Sequence, residues 1–174
     1  HKSVTTHSHP AVAQFPACSD ELLLERLQRA HFQYFLDYQD KSTGLILDRS
    51  GSNSPATIAG VGFALPAYAA AATRSWISRA EAVQYTLKVL RILWLVPQGD
   101  ATSGVSGYRG YYYHFLNPGT GERAVAPPFW HSELSSIDTA LLMAGVRFAR
   151  YFYLGRAAGE REIRRLCDQL YERV

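Results

Sequence analysis

Apolar residues recur three and four positions apart over five stretches of the chain, with polar or glycine-rich runs between them. That period predicts amphipathic helices. Ser19-Asp20-Glu21 opens the first, with a hydroxyl that can cap and two acids that complement the positive helix end. Leu23, Leu27, Ala30, Tyr34 and Phe35 form its expected inner stripe, and it should end near Gln39. The second helix is expected from Ser54-Pro55, with proline at the first helical position. It is apolar nearly all round, which predicts burial on most faces, and Pro66 should kink it or begin a new segment. Ser78-x-x-Glu81 is a capping box that opens the third helix. Its expected inner face is Ala82, Tyr85, Val89, Ile92 and Leu93, and it stops at Pro97. A fourth helix is expected over about 135–154, with Ile137, Ala140, Leu141, Ala144, Phe148 and Tyr151 as its core stripe. The fifth should start at about Gly159, with Ile163, Leu166, Leu170 and Tyr171 facing inward.

The segments between these helices divide into two kinds. Leu45-Ile46-Leu47-Asp48-Arg49 reads as a short extended piece before a Gly/Ser/Asn loop. Residues 97–131 form a long connection rich in glycine and proline, and such loops inside a domain are usually functional. Within it, Tyr111-Tyr112-Tyr113-His114-Phe115-Leu116 followed by Asn117-Pro118-Gly119-Thr120-Gly121 reads as a β-hairpin with its turn. The expected class is therefore all-α with a short β-hairpin in the 97–131 loop. Residues 1–18 read as a disordered tail and 19–174 as one helical unit. An odd number of antiparallel helices leaves one apolar face without a partner, so a truncated unit is expected.

Composition narrows the class without naming a function. At 174 residues, 47% apolar, 13% aromatic and 19% charged, the chain is neither disordered nor collagen-like. A net charge of +3 with scattered basic residues gives no nucleic-acid footprint. No run of about 18 apolar residues is present, so no membrane span is expected. Cys18 and Cys167 lie far apart and outside any CxxC pair, which argues against a zinc site and for two reduced thiols. There is neither a G-x-G-x-x-G nor a P-loop pattern, and no cofactor or metal is expected.

Chemistry concentrates after the aromatic loop. In Phe129-Trp130-His131-Ser132-Glu133-Leu134-Ser135-Ser136-Ile137-Asp138-Thr139, two carboxylates flank the expected start of the fourth helix. Glu133 falls in the loop leading into that helix and Asp138 in its first turn, so both should face one mouth. Paired carboxylates beside aromatic platforms are what sugar hydrolysis needs: one acid protonates the leaving oxygen while a base or nucleophile works on the other face. The plainer reading, that both acids only serve the helix end, stays open. Trp130, Tyr112, His131, His114, Asp48 and Arg49 are candidates to line sugar subsites. Asp48-Arg49 could equally be a surface ion pair, and the two histidines could be structural.

The run Ser132-Glu133-Leu134-Ser135-Ser136-Ile137-Asp138-Thr139-Ala140-Leu141-Leu142-Met143-Ala144-Gly145 closely resembles a signature of the glycoamylase-like family of bacterial glycoside hydrolases. Phe32-Gln33-Tyr34-Phe35, Ser42-Thr43-Gly44-Leu45 with Asp48-Arg49, and the run from Ala56 through Leu65 also resemble that family's pattern. So do Ile77-Ser78-Arg79-Ala80-Glu81-Ala82 and the tyrosine-rich loop with His114-Phe115. The resemblance implies the N-terminal part of an (α/α)6 toroid, with the C-terminal half of the same fold missing. It implies hydrolysis of a β-glucan, β-1,2-linked, with Glu133 and Asp138 as the acids and an oligo- or polysaccharide as partner. It also implies a periplasmic, secreted or lipid-anchored location. Some relatives carry Asp-Leu-Val-Glu-Thr, and Ser135 and Asp138 stand at the acidic positions of that form. A carbohydrate-binding or scaffold protein that keeps the fold without the chemistry is the second reading, and a helical interaction module the third.

Overall fold

The computed structural model of the chain describes residues 18–51, 53–126 and 132–174. Residues 1–17 of the expected tail, and Trp130 and His131 of the expected site, lie outside them. Five helices carry the described residues: α1 (Asp20–Asp37), α2 (Ile58–Thr73), α3 (Arg79–Leu95), α4 (Ser136–Phe152) and α5 (Ala158–Arg173). Four two-residue strands lie between them: β1 (Ala56–Thr57), β2 (Gly107–Tyr108), β3 (Tyr111–Tyr112) and β4 (Phe115–Leu116). The class is all-α.

Side-chain caps start three of the helices. Ser19 accepts from the Leu22 N–H, Ser78 and Glu81 form both bonds of a capping box, and Ser135 accepts from the Asp138 N–H. The second helix corrects the expectation. It begins at Ile58, not at Ser54-Pro55. The backbone of Ala56 and Thr57 is already taken: β1 pairs antiparallel with β4, and the Thr57 N–H donates to the Ile46 carbonyl. Two flanking strands outweigh one extra helical turn.

The helix then runs on through Pro66. Proline has no N–H, so the Gly62 carbonyl four residues earlier has no intrahelical donor. That carbonyl faces Gly145 of α4. A Cβ added at Gly145 would lie 2.2 Å from it, and one added at Gly62 would lie 2.4 Å from the Leu141 carbonyl oxygen. Gly62 and Gly145 thus let two backbones touch, early in α2 and midway along α4. The Ile58 N–H donates to the His114 carbonyl and the Tyr112 N–H to Thr139 Oγ1, so both N-termini lie against residues 112–115 and the helices run parallel. In the second layer, Arg79 pairs with Glu160 at the starts of α3 and α5, and Arg173 donates to the Leu93 and Trp94 carbonyls at their ends. These two helices are parallel to each other as well. Short connections join α2 to α3 and α4 to α5, so the layers run in opposite directions. α1 packs beside α2 through Phe32, whose ring meets Tyr68 and Trp76.

The close glycine contact also decides which face of α4 is buried. Thr139, Leu142, Met143, Gly145, Val146 and Ala149 face the core. The stripe expected there is on the other side: Ile137 is 68% exposed, and Ala140, Ala144, Phe148 and Tyr151 are exposed too. Both faces of α4 are apolar, so periodicity alone could not choose between them. Leu23 and Leu27 of α1 and Tyr171 of α5 are likewise exposed.

The hairpin is also placed differently. The tight one joins β2 and β3 through Arg109-Gly110, both at positive φ. The expected Asn117–Gly121 turn is present, with Leu116 bridging to Arg123 across it, but the longer partner of β4 is β1. Cys18 and Cys167 are both free, Cys167 within the core.

α5 lacks a side-chain cap on its N-cap residue Ala157. Glu160 serves this end instead: its buried carboxylate accepts from the Gly155 N–H and from Arg79 Nε and Nη2. The Arg79 bond holds its carboxyl below the usual carboxylate range. Glu160→Gln is expected to cost about 1–3 kcal/mol at neutral pH, because it strips charge from a carboxylate with three donors. A group with a depressed folded-state pKa contributes stability above its unfolded value and loses it as pH falls. The wild-type advantage in thermal unfolding should therefore be full near pH 7 and shrink below about pH 4.

Candidate active site

The site is built on an antiparallel pair of segments across the N-termini of α2 and α4. Residues 112–115 run against 132–135, with Tyr113 bridging Leu134. The His114 N–H donates to the Glu133 carbonyl at 2.9 Å, the Ser135 N–H to the Tyr112 carbonyl at 3.0 Å, and the Phe115 N–H to Ser132 Oγ at 2.7 Å. His114 and Glu133 are therefore directly opposite, the arrangement in which cross-strand side chains meet. On the other side, the Ile58 N–H at the start of α2 donates to the His114 carbonyl at 3.3 Å. The Tyr112 N–H donates to Thr139 Oγ1 at 3.0 Å, which ties the pair to α4.

Three titratable side chains converge here. His114 Nδ1 is 2.9 Å from Glu133 Oε1, and His114 Nε2 is 3.8 Å from Asp138 Oδ2. The imidazole stacks on the Phe115 ring with centroids 3.8 Å apart. The Glu133 side chain is 64% exposed, whereas that of Asp138 is 16% exposed. A hydrogen bond from its own backbone N–H holds the Glu133 carboxyl below its ordinary range, against partial desolvation, and His114 adds to the effect. Asp138 stands in the first turn of α4 and accepts from the Ser135 hydroxyl at 2.5 Å, while Ser135 Oγ accepts in turn from the Asp138 N–H. Its charge lies at the positive end of the helix. One edge of the pair thus carries an open carboxylate and the other a sheltered one.

The other expected site residues separate. Asp48 and Arg49 form an ion pair at 3.1 Å. They sit on the same strip as His114 but two strands away: Leu47 bridges Ala56, β1 pairs β4, and residues 132–135 follow. Tyr112 is a correction. It is fully buried, and its hydroxyl donates to the Leu93 carbonyl at 2.9 Å, so it is a core residue rather than a subsite wall. Any further chain packed on this unit could only bury it more. Sequence reasoning missed the residues that organise the site, Ser132, Ser135 and Thr139. Ser135-x-x-Asp138 carried the signal, as a hydroxyl three residues ahead of an acid at a helix start. A cleft of about 510 Å³ opens farther along the strip, between Ser54-Pro55 and Leu116, Asn117, Glu122 and Arg123. Among the described residues, no group of three or more His, Cys, Asp or Glu could hold a metal ion, and no helix is long and apolar enough to cross a membrane.

No protein-family model matches the chain. It is 27% identical over 159 residues to the exo β-1,2-glucooligosaccharide sophorohydrolase (non-reducing end) of Parabacteroides distasonis, covering 90% of this chain and 20% of that protein. Its fold matches a glucoamylase-like protein from Bacteroides uniformis, with a TM-score of 0.78 and 25% identity over 91% of this chain and 37% of the other. It also matches a β-1,2-glucanase from Parabacteroides distasonis, with a TM-score of 0.76 and 26% identity over 93% of this chain and 22% of the other. The endo-β-1,2-glucanase of Chitinophaga pinensis, solved with sophorotriose and glucose, matches with a TM-score of 0.76 at 21% identity, over 91% of this chain and 37% of the other. The chain is similar to these glucoamylase-like proteins and β-1,2-glucanases and shares their helical fold over the part it covers. It spans about a fifth of the length of the curated relative.

Proposed function

We propose that the chain is part of a glycoside hydrolase that cleaves a β-glucan, β-1,2-linked, with Glu133 and Asp138 as carboxylates of the reacting site. The observation that carries this is the convergence of both acids on the two edges of one imidazole, at the N-terminal end of α4. Glu133, open to solvent and favoured in its ionised form, suits the base or nucleophile side of the reaction. The strip from Asp48 to Glu133, with its cleft, offers a run of polar and apolar surface along which a chain of sugars could lie. The named activities of the Parabacteroides sophorohydrolase and the two β-1,2-glucanases support the substrate class. Trp130, His131, Asp48 and Arg49 remain candidate subsite residues under this reading, and a periplasmic, secreted or lipid-anchored location goes with it.

The experiment is isothermal titration of the full-length protein with β-1,2-, β-1,3- and β-1,4-glucans of equal length, alongside product analysis. Binding and cleavage of the β-1,2 chain in preference to the others are expected. Binding without turnover would instead favour a carbohydrate-binding protein that keeps the fold and not the chemistry.

A further inference from the structure

Resting on the reading of Glu133 and Asp138 as the acids of the site, we propose that His114 is a positioning residue whose Nδ1–H holds the Glu133 carboxylate in fixed relation to Asp138. Its expected role was contact with sugar, but Nδ1 is already committed to Glu133 at 2.9 Å. An ionised carboxylate only accepts hydrogen bonds, so Nδ1 carries the proton that lies between them. Nε2 lies 3.8 Å from Asp138 Oδ2, beyond hydrogen-bond distance, so Asp138 is held by Ser135 and not by the ring.

The ring has little freedom to do otherwise. Its backbone N–H is bonded to the Glu133 carbonyl, its carbonyl accepts from Ile58 of α2, and one ring face lies on Phe115. Among the described residues, the charged groups facing it come from two elements: Glu133 from the 132–135 segment and Asp138 from α4. Arg123, on the far side of Ser132, donates to the Ser132 carbonyl and lies over the Tyr113 ring. Glu133 is exposed, and without His114 its side chain would sample several rotamers. The histidine holds it at one place relative to the sheltered Asp138, which is the order a two-carboxylate reaction requires.

The test reads Glu133 directly and needs no turnover. Its carboxyl is titrated by carbon-13 NMR in the wild-type chain and in His114→Ala, His114→Asn and His114→Gln. Asparagine places a side-chain N–H near the Nδ1 position, and glutamine places one near Nε2. The contact favours the ionised form, so His114→Ala is expected to move the Glu133 midpoint upward. Asn should bring it most of the way back, and Gln should not. In the full-length protein, His114→Ala should lower kcat on β-1,2-glucan by at least about tenfold with KM little changed, and Asn should recover part of that loss. A Glu133 midpoint unmoved in a folded His114→Ala chain overturns the proposal. If that variant does not fold, equal midpoints in the Asn and Gln variants overturn it. The hydrolase reading fails separately, if Glu133→Gln cleaves glucan at the wild-type rate while the titration behaves as described.

Discussion

Gly145→Ala is expected to destabilise the chain by about 3 kcal/mol, which lowers the thermal midpoint by roughly 6–12 °C. The added methyl would sit 2.2 Å from the Gly62 carbonyl oxygen and 2.8 Å from Gly62 Cα. Those are backbone atoms, so no rotamer change can relieve the overlap. The helices must move apart, and the contact between α2 and α4, which holds much of the buried core, must loosen along its length. Gly119→Ala is the control, since its Cβ would meet Asn117 Oδ1 at an ordinary 3.6 Å. Thermal unfolding followed by circular dichroism, with urea midpoints alongside, checks both. Equal midpoints for wild type and Gly145→Ala would mean that the two helices do not touch where described. The same displacement carries Asp138 with the N-terminus of α4, so the full-length variant should lose activity even below its melting temperature.

Much of the fold was legible because it rests on local chemistry. Ser19, and Ser78 with Glu81, each mark a helix start by the bond their hydroxyl makes. Ile163, Leu166 and Leu170 mark the buried stripe of α5 by spacing alone. What the pattern could not give depended on partners distant in sequence. Pro55 suits the first position of a helix, yet Ala56 and Thr57 are held extended by Leu116 and Phe115, some sixty residues on. The face of α4 that turns inward is chosen by Gly62 on another helix, against the larger apolar residues that dominate a periodicity count. Among three consecutive tyrosines, Tyr111 is exposed while Tyr112 is buried, and no residue type distinguishes them.

The candidate site was legible in the same uneven way. Glu133 and Asp138 stood out as acids on either side of a helix start. That His114 would stand between them followed from a strand register, with Tyr113 opposite Leu134, for which the sequence carried no signal. Ser135 caps α4 and its hydroxyl also holds the Asp138 carboxylate, so one residue serves both the helix and the site. Asp48 and Arg49 kept their pairing but lie two strands from the carboxylates.

As the proposed carboxylates of the reacting site, Glu133 and Asp138 are open to a direct test. Glu133→Gln keeps the shape of the side chain and its oxygen beside His114 while removing the charge. Asp138→Asn keeps an acceptor for Ser135 but no longer offers a carboxylate at the helix end. Each substitution removes a group able to transfer a proton or to attack, a loss worth about 100- to 10,000-fold in rate. Neither should much alter stability, because Glu133 is exposed and Asp138 keeps its capping bonds. Glu21→Gln, an exposed acid in the first turn of α1, is the matched control. The deciding measurement is kcat for β-1,2-glucan hydrolysis by the full-length protein and these three variants, at equal folded concentration. A loss of at least about 100-fold is expected for Glu133→Gln and for Asp138→Asn, with Glu21→Gln unchanged. Wild-type rates in both site variants would contradict the proposal.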